Sequence, residues 1–589
     1  MRPIANIPAS ITGQTWCWRG NYAGSDDGAF SRDDLVTQLL LARGCPREDL
    51  EIQRAPTLRH FMPDPSLFRD MDTAARRLAD AIEQQEKVTI FGDYDVDGAS
   101  SAALLILLLR ALGLEAGYYI PDRLMEGYGP SGTALVALAH GGANLIVTVD
   151  CGAQAFEALE MARAAGVDVI VVDHHQCATA LPPALALVNP NRLDENAEAA
   201  AHGHLAAVGV AFLLGAALVR ELRTRGYFSA RTEPALLDLL DLVALGTVAD
   251  VAQLRGLNRA FVAQGLKVMA RRRNLGLATL ASVSRLTRAP LCHDLGFALG
   301  PRINAGGRVG KSDLGVRLLI TQDEEEARAI AAELDRLNEE RRAIEASVQE
   351  QATHLAEHQG NRSVLLVSGE GWHPGVIGIV AGRLKEKFAR PAIVIATDEA
   401  GTGKGSGRSI TGVDLGAAIL AAKEHGLLVA GGGHAMAAGL TVTQGRIAEL
   451  HDFLDEHLSA SIAQAGAERS LPVDCLLSPR GLSPQLVNDM EAAGPFGVGW
   501  PAPRIATGPM RIIKADVVGS GGHVRLILSG QDGASLKAVA FRQADTLLGQ
   551  QLLGGSKGRT LWLAGRIKTD EWGGAKSAEL HIEDAAWAE

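Results

Sequence analysis

Three short apolar runs in the first half of the chain have the length and composition of buried strands. Residues 88–91, 145–149 and 169–172 are uncharged and rich in β-branched side chains. Runs of this kind are typical of strands that are covered on both faces in a parallel sheet. A long apolar run, ALLILLLRAL at 103–112, has the length of a helix that covers such a sheet. The pattern predicts an α/β domain over residues 81–320.

One continuous helical pattern follows, from Asp323 to about His358. Its apolar residues recur mostly at three-, four- and seven-residue spacing, with Glu and Arg between them. At 1.5 Å per residue such a helix spans ~50 Å. A coiled coil is the alternative, but a single apolar stripe favours a helix over 321–360 that connects two domains.

Two further domains are predicted after this helix. Strand-length runs at 363–367 and 391–395 indicate a second α/β domain over 361–465, which ends in the glycine-rich segments GTGKGSGRS and GGGHAMAAG. Neither segment matches a nucleotide-binding P-loop or a dinucleotide fingerprint. Their glycines suit contacts with phosphate, and flexible loops are the alternative.

The last part of the chain, residues 466–589, has the pattern of a small antiparallel barrel. Short runs at 524–528, 536–541, 560–565 and 579–582 partly alternate and are separated by glycine-rich turns. An oligonucleotide-binding (OB) fold is the common single-strand platform of this size. Aromatic residues make up only 4% of the chain, so base stacking would depend on few rings, such as Phe541, Trp562 or Trp572. Residues 1–80 are predicted as a mostly helical lead-in.

Composition sets limits on this picture. The 589 residues carry a net charge of −11, which argues against a sequence-independent binder of duplex DNA. The chain has no signal-peptide pattern and no apolar run long enough to span a membrane. Its six cysteines include no CxxC pair, so neither a structural zinc site nor a disulfide framework is indicated. A reduced cytoplasm is therefore the expected location.

Acidic residues and histidines follow the predicted strands. They occur in VTIFGDYDVDGASS, LIVTVDCGAQ, VIVVDHHQ and LVALGTVADVA, each at the end of an apolar run that we interpret as a strand. Ligands of open α/β sheets bind outside the carboxyl ends of the strands, and this many carboxylates could not stay ionised there without cations. A calcium loop is excluded because its twelfth position, Leu104, is not glutamate. Oxygen ligands with imidazoles suit Mn²⁺ or Mg²⁺, so we predict a two-metal hydrolase.

The ordered set of motifs resembles the DHH phosphoesterase superfamily, and within it the branch of bacterial single-strand-specific DNA exonucleases. The resemblance covers roughly residues 55–589. Besides the acidic motifs, it includes GFALGPRINAGGRVG (296–310), LNEERRAIE (337–345), GWHPGVIGIVAGRL (371–384), GSGRS (405–409), GGGHAMAAGL (431–440) and GPFGVGWPAP (494–503). It implies a DHH phosphoesterase domain and a DHH-associated domain, both α/β and joined by the long helix, with a C-terminal OB-type β-barrel.

The resemblance also implies roles for individual residues. Two ions, Mn²⁺ or Mg²⁺, would be bound by Asp93, Asp95, Asp97, Asp150, His174 and Asp250, with Asp150 as the bridge. Asp173 would orient its neighbours, and His175 would contact the scissile phosphate. A 5′-phosphate pocket would comprise Arg123, Arg302, Ser406 and Arg408, and further DNA contacts would come from Asn304, Arg308, Arg341, Arg383 and His434. Phe91 departs from the pattern, since some members have histidine there.

The function implied is 5′-to-3′ degradation of single-stranded DNA to mononucleotides in recombination and repair. A phosphodiesterase for short oligonucleotides or cyclic dinucleotides is one alternative, although it would not need the barrel. A non-catalytic replication scaffold is another, although every expected ligand except at Phe91 is present. We expect a monomer, with no membrane association, and we consider single-strand-binding protein and a helicase as candidate partners.

Overall fold

A computed structural model describes residues 3–4, 7, 10–20, 35–123, 125–466, 470–519, 521–555, 558–570 and 577–588. The chain forms two compact units. The smaller unit comprises Met1–Met62, Gln253–Gln264 and Arg469–Glu589, and the larger unit comprises Pro63–Ala252 and Gly265–Glu468.

The larger unit begins with a five-stranded parallel sheet, which we call the first sheet. Every residue of Val88–Gly92 and Leu145–Val149 is buried, which is the physical reason for their uncharged, β-branched composition. The three strands predicted from the sequence are confirmed. In spatial order the strands are Gly117–Tyr119, Val88–Gly92, Leu145–Val149, Asp168–Val172 and Ala186–Val188.

Helices pack on this sheet and extend the domain. One of them corrects an expectation: Asp250 follows the helix Leu240–Ala249 rather than a strand. Residues 242–246 form an uncharged run, and the helix is buried from Leu240 to Thr247. A short continuous run of this kind cannot be assigned to helix or strand by periodicity. The main helices here are Met71–Gln84, Val96–Ala111, Gly132–His140, Phe156–Ala164, Ala207–Thr224, Leu240–Ala249, Leu275–Val283, Gly300–Val309 and Leu314–Ile320.

The predicted long helix is confirmed as Glu324–Glu357. Asp323 caps it by accepting hydrogen bonds from the amides of Glu325 and Glu326, and the acidic first turn suits the helix dipole. Its first half packs against Gly300–Val309, and its second half contributes to the core of the second α/β domain. The helix therefore belongs to both cores, which explains its length.

The second α/β domain contains a mixed five-stranded sheet in which both glycine-rich segments are strands. Their role as strands was not apparent from the sequence. A Cβ atom at Gly403, Gly405 or Gly407 would lie within 2.7 Å of a core side chain, so glycine is needed for close packing. The strands in spatial order are Ala430–His434, Ala437–Thr443, Thr402–Arg408, Ala392–Thr397 and Leu365–Glu370, and the helices are Ile377–Phe388, Leu415–Glu424 and Ile447–Gly466.

The smaller unit contains a closed barrel, as predicted. The strand Ile505–Val518 pairs with His523–Gly530 and also with Leu561–Asp570. This double pairing closes five strands around an apolar core. This long strand, which has an irregularity between Ile512 and Lys514, was not predicted. The other barrel strands are His523–Gly530, Ser535–Ala540, Leu561–Asp570 and Ser577–Trp587, and Cys475–Leu477 pairs at the edge.

Residues from the start of the chain are part of the smaller unit. The strand Thr15–Trp18 pairs in parallel with Ser470–Val473, and Leu39 and Leu40 from the helix Leu35–Ala42 are buried in the barrel core. The buried Asp474 carboxylate binds the guanidinium groups of both Arg19 and Arg43. No helix among the described residues is long and apolar enough to cross a membrane.

Candidate active site

The site begins where the strand order of the first sheet reverses. The chain enters the sheet at Val88–Gly92, continues to Gly117–Tyr119 on one side and then to Leu145–Val149 on the other. A crevice opens outside the carboxyl ends of strands at such a switch point. Asp93 and Asp95 follow the first of the two central strands, and Asp150 follows the second.

The loop after Val88–Gly92 is held by backbone amides. The Asp95 carboxylate caps the helix Val96–Ala111, accepting hydrogen bonds from the amides of Asp97 (2.9 Å) and Gly98 (3.1 Å). The buried Asp97 carboxylate accepts hydrogen bonds from the amides of Ala207 (2.7 Å) and Val208 (3.0 Å), at the N-terminus of the helix Ala207–Thr224. These amides satisfy charge that would otherwise be buried without partners.

Gly98 lies in the first turn of the helix Val96–Ala111, directly after Asp97. A Cβ atom there would lie 2.5 Å from the Asp93 carbonyl oxygen. Glycine is needed for this close approach of the helix to the loop that carries Asp93 and Asp95.

Asp150 adopts a backbone conformation that is rare for a residue with a side chain, with φ of 62°. The Tyr128 hydroxyl donates a hydrogen bond to the Asp150 carbonyl oxygen at 3.0 Å. One oxygen of the Asp150 carboxyl group lies 3.3 Å from Nε2 of His174. Local strain of this kind is often found at functional sites, and here it accompanies a carboxylate that points into the cluster.

The Asp-His-His motif follows the strand Asp168–Val172, and its aspartate is used inside the motif. One Asp173 oxygen accepts hydrogen bonds from the amide of His174 (2.8 Å) and from Nδ1 of His175 (2.7 Å), and the other accepts one from the Ala153 amide (2.9 Å). Nδ1 of His174 donates to the Leu205 carbonyl at 3.0 Å. Nε2 of His174 is therefore left as the atom that can bind a ligand.

Burial and mutual repulsion shift the protonation of the carboxyl groups. Burial first, and then the neighbouring Asp95, raise the pKa of Asp93 and Asp150 and raise that of Asp250 to about 7. Burial and Asp250 likewise raise the pKa of Asp97. Each of these groups would ionise more readily beside a cation.

The motif histidines differ in charge. Burial opposes ionisation of Asp173, but the hydrogen bond from His175 lowers its pKa to about 2. Burial also disfavours the His175 cation, but the same bond outweighs it and raises the pKa of His175 to about 9. Burial and the adjacent His175 lower the pKa of His174 to about 4, which keeps it neutral and able to donate a lone pair.

Residues that could hold metal ions fall into three overlapping groups. They are Asp93–Asp95–Asp150, Asp97–His174–Asp250 and Asp150–His174–His175, each with ligand atoms within 4.8 Å of one another. One oxygen of Asp93 and Nε2 of His174 are buried and have no hydrogen-bond partner among the residues that the structure describes. Oxygen-rich groups with imidazole suit Mn²⁺ and Mg²⁺, so the donor set fits these ions. Phe91 lies outside the cluster, buried and stacked on Tyr119 at 5.2 Å.

An arginine cluster lies beside the carboxylates, formed by Arg123, Arg308, Arg341 and Arg408. Burial first, and then the other three guanidinium groups, lower the pKa of Arg308 to about 10, while Asp95 acts in the opposite direction. Burial and Arg123 also lower the pKa of Arg408. These arginines come from distant parts of the larger unit, and their mutual repulsion favours binding of an anion.

The sequence-predicted DNA contacts have different environments. Nη1 of Arg408 lies 3.2 Å from the Ser406 hydroxyl, so these two predicted residues are together. Arg302 is bound by Asp335 at 2.8 Å, and Arg341 by Glu345 and Asn338, so their donors are partly used inside the protein. Asn304 is half-buried, and Arg383 and His434 are exposed.

Sequence reasoning missed residues that support the site. Tyr128 contacts Asp150 and lies 3.1 Å from Nδ1 of His175. Tyr94 lies under the guanidinium group of Arg123, at 4.8 Å. Tyr94 stands between two predicted ligands, which could have drawn attention to it, whereas the contact of Tyr128 is not visible in the sequence.

Comparison with known proteins places this architecture. Family models match residues 87–247 (DHH family, N-terminal domain), 361–460 (DHHA1 domain) and 473–584 (RecJ OB domain). The chain is 39% identical over 566 residues to the single-stranded-DNA-specific exonuclease RecJ of Dickeya dadantii, covering 93% of this chain and 95% of that protein. The chain belongs to the RecJ family.

Other RecJ proteins agree with this assignment. RecJ of Escherichia coli is 36% identical over 564 residues, covering 93% of this chain and 95% of that protein. The crystal structure of Thermus thermophilus RecJ in complex with Mn²⁺ matches with a TM-score of 0.77 at 28% identity, covering 94% of this chain and 76% of that one. An exonuclease RecJ bound to manganese matches with a TM-score of 0.58 at 33% identity, covering 69% of this chain and 98% of that one.

Proposed function

We propose that this protein is a metal-dependent exonuclease that degrades single-stranded DNA from the 5′ end to mononucleotides. The observation that carries this proposal is the cluster of carboxylates and histidines beside a cluster of arginines in the larger unit. Phosphodiester hydrolysis requires both elements, since one binds cations and the other binds phosphate. The names of the RecJ relatives and the manganese in two related structures support the same function.

Asp93, Asp95 and Asp150 would hold one Mn²⁺ or Mg²⁺ ion, and Asp97, His174 and Asp250 the other, with Asp150 close to both. The two groupings of neighbouring ligand atoms support this division. When bound, the ions supply positive charge for the attacking and leaving oxygens and lower the pKa of water.

His175 would contact the phosphate. Its side chain is 36% exposed, and Asp173 fixes the orientation of the imidazole through Nδ1. The opposite nitrogen can then donate a hydrogen bond to a phosphate oxygen or move a proton. Asp173, whose oxygens are used by three amides and an imidazole, would act by positioning.

The terminal 5′-phosphate would bind to Arg123, Arg302, Ser406 and Arg408. A terminal phosphate carries more charge than an internal one, and arginine forks bind it by charge-assisted hydrogen bonds. Asn304, Arg308, Arg341, Arg383 and His434 would contact the rest of the strand. Since Arg302 and Arg341 already have carboxylate partners, we expect Arg123, Arg308 and Arg408 to contribute most.

The barrel would provide an additional binding surface for single-stranded DNA. Phe541 is 48% exposed and has the His523 and His581 rings at 5.2 and 4.9 Å, which gives an exposed aromatic surface for stacking. Trp562 is half-buried, and Trp572 lies outside the described residues. We further propose a monomer that acts in the cytoplasm in recombination and repair, with single-strand-binding protein and a helicase as partners to be tested.

The decisive experiment is digestion of single- and double-stranded DNA labelled at either end, with Mn²⁺, Mg²⁺ or EDTA. We expect metal-dependent release of labelled mononucleotide from the 5′ end of single strands. Shortening from the 3′ end would contradict the polarity. Cleavage restricted to dinucleotides or cyclic dinucleotides would favour a small-substrate phosphodiesterase, and no cleavage with either ion would favour a scaffold.

A further inference from the structure

Tyr94 is the only aromatic residue of the short loop between the strand Val88–Gly92 and the helix Val96–Ala111. Its two neighbours in sequence, Asp93 and Asp95, are the candidate metal ligands. The side chain of Tyr94 is half-buried and lies under Arg123, whose guanidinium carbon is 4.8 Å from the centre of the ring. One residue therefore contacts the arginine cluster while its neighbours carry the carboxylates.

Arg123 and Arg302 have different kinds of partner, an aromatic ring and a carboxylate respectively. Arg302 is bound by the Asp335 carboxylate at 2.8 Å, which neutralises its charge and uses a donor. Among the described residues, Arg123 forms no ion pair with a carboxylate, and its guanidinium group lies over the Tyr94 ring. An aromatic face orients a guanidinium group without occupying its N–H donors, so the donors stay available for a phosphate.

The backbone of Tyr94 contacts the element that carries other arginines of the cleft. A Cβ atom at Gly307 would lie 2.8 Å from the Tyr94 carbonyl oxygen, so the helix Gly300–Val309 is packed directly on this loop. That helix carries Arg302 and Arg308. Tyr94 thus contacts both Arg123 and the helix Gly300–Val309. It also belongs to the loop that carries the candidate metal ligands.

We propose that Tyr94 is a positioning residue that sets the spacing between the metal ions and the terminal 5′-phosphate, by orienting Arg123 through its ring. This role rests on the proposed exonuclease function. An enzyme that removes one nucleotide at a time needs a fixed distance between the phosphate pocket and the metals. The Tyr94 ring, stacked on Arg123, provides such a distance without neutralising the positive charge of the phosphate pocket.

The test compares Tyr94→Leu with Tyr94→Phe, which keeps the stack, on single strands that carry a 5′-phosphate or a 5′-hydroxyl. In Tyr94→Leu we expect the preference for 5′-phosphate to fall about threefold to tenfold, through a higher KM with kcat little changed. Tyr94→Phe should keep the wild-type preference. Binding of the same oligonucleotides in EDTA, followed by fluorescence anisotropy, should show the same pattern without cleavage.

Tyr227→Leu is the matched control, because Arg231 stacks over the Tyr227 ring at 4.2 Å elsewhere in the larger unit. It should leave the phosphate preference unchanged. Arg123→Ala supplies the second control, in a double variant. If Tyr94 acts through Arg123, adding Tyr94→Leu to Arg123→Ala should not change the phosphate preference further.

Different outcomes separate this role from the proposed function. An unchanged preference in Arg123→Ala would overturn both the phosphate pocket and the role of Tyr94. A preference that falls in Arg123→Ala but not in Tyr94→Leu would overturn the role of Tyr94 alone. Equal losses on phosphorylated and hydroxyl-ended DNA in Tyr94→Leu would also overturn it, since they would indicate a general structural effect.

Discussion

The larger unit holds a cluster of carboxylates and a cluster of arginines, and different kinds of contact hold the two clusters in place. The carboxylates lie at or close to the ends of strands and helices, and backbone amides hold Asp95, Asp97 and Asp173 in place. The arginines come from distant segments and have mixed partners: Arg123 lies over a ring, Arg308 donates to the Gly375 carbonyl at 2.8 Å, and Arg341 is bound by Glu345. Carboxylates fixed by the backbone suit the strict geometry of metal ions, whereas arginines on long side chains suit a mobile phosphate.

The largest expected effect is at the carboxylate cluster. Asp150→Asn should lower cleavage by at least about a thousandfold, because it removes a negative ligand that lies near both ion groups. Rates on a 5′-labelled single strand at saturating Mn²⁺ measure this. Asp241→Asn is a matched control, since Asp241 is also buried but belongs to none of the metal groups. Activity near the wild-type value in Asp150→Asn would remove Asp150 from this role.

A smaller effect is expected at the arginine cluster. Arg408→Ala should lower the preference for 5′-phosphate over 5′-hydroxyl ends about tenfold to a hundredfold, which corresponds to one or two charge-assisted hydrogen bonds. Mn²⁺ affinity, measured by calorimetry, should change little. Arg336→Ala serves as the control, because Arg336 is an exposed arginine paired with Glu333 and Glu340 on the long helix. An unchanged preference in Arg408→Ala would break the division of labour between the two clusters.

The barrel should contribute to the binding of long single strands rather than to hydrolysis at one phosphate. Phe541→Ala should weaken binding of a long single strand about fivefold or more, because each stacked base adds binding energy. Hydrolysis of a very short oligonucleotide should be unaffected. Leu547→Ala, at another exposed apolar position of this unit, is the control. Equal losses on both substrates would argue for a structural role of Phe541.

Deletion of the barrel is a less specific test than this substitution. The strand Thr15–Trp18 pairs with Ser470–Val473, and Leu39 and Leu40 pack in the barrel core. Removing residues from about 470 onward would expose these surfaces and change the N-terminal segment as well.

The smallest effect concerns pH and the stability of the metal-free protein. Burial and Asp95 raise the pKa of Asp250 to about 7, so its contribution to stability is complete below the unfolded pKa and is lost as the pH rises through about 7. Mn²⁺ reverses this loss by binding the ionised form. The increase in melting temperature caused by Mn²⁺ should therefore be larger at pH 8 than at pH 6, by a few degrees in thermal unfolding. The same increase at both values would contradict the shift.

Asp250→Asn sharpens this last prediction. The variant should be more stable than the wild type at pH 8 without metal, since a neutral amide cannot be repelled by Asp95. It should also respond less to Mn²⁺. If the variant is less stable than the wild type at pH 8, Asp250 makes favourable interactions that are stronger than its repulsion by Asp95.

The strands and the carboxylates could be predicted because both are local in the sequence. Buried β-branched runs predict strands, and the residue after a parallel strand must lie at the ligand-binding edge. The prediction was wrong for the element that precedes Asp250, because an apolar run of that length fits a buried helix equally well. The glycine-rich strand Thr402–Arg408 was not recognised, because its glycines serve close packing rather than turns.

The sequence by itself determined the parallel sheet, the long helix and the acidic residues that meet at the sheet edge. Only the tertiary structure decided which arginines are available to a phosphate. Whether a guanidinium group meets a carboxylate, as Arg302 meets Asp335, or a neutral ring, as Arg123 meets Tyr94, depends on contacts between distant segments. Side-chain pairing across such distances has no periodicity in the chain, and it is fixed only when the segments pack together.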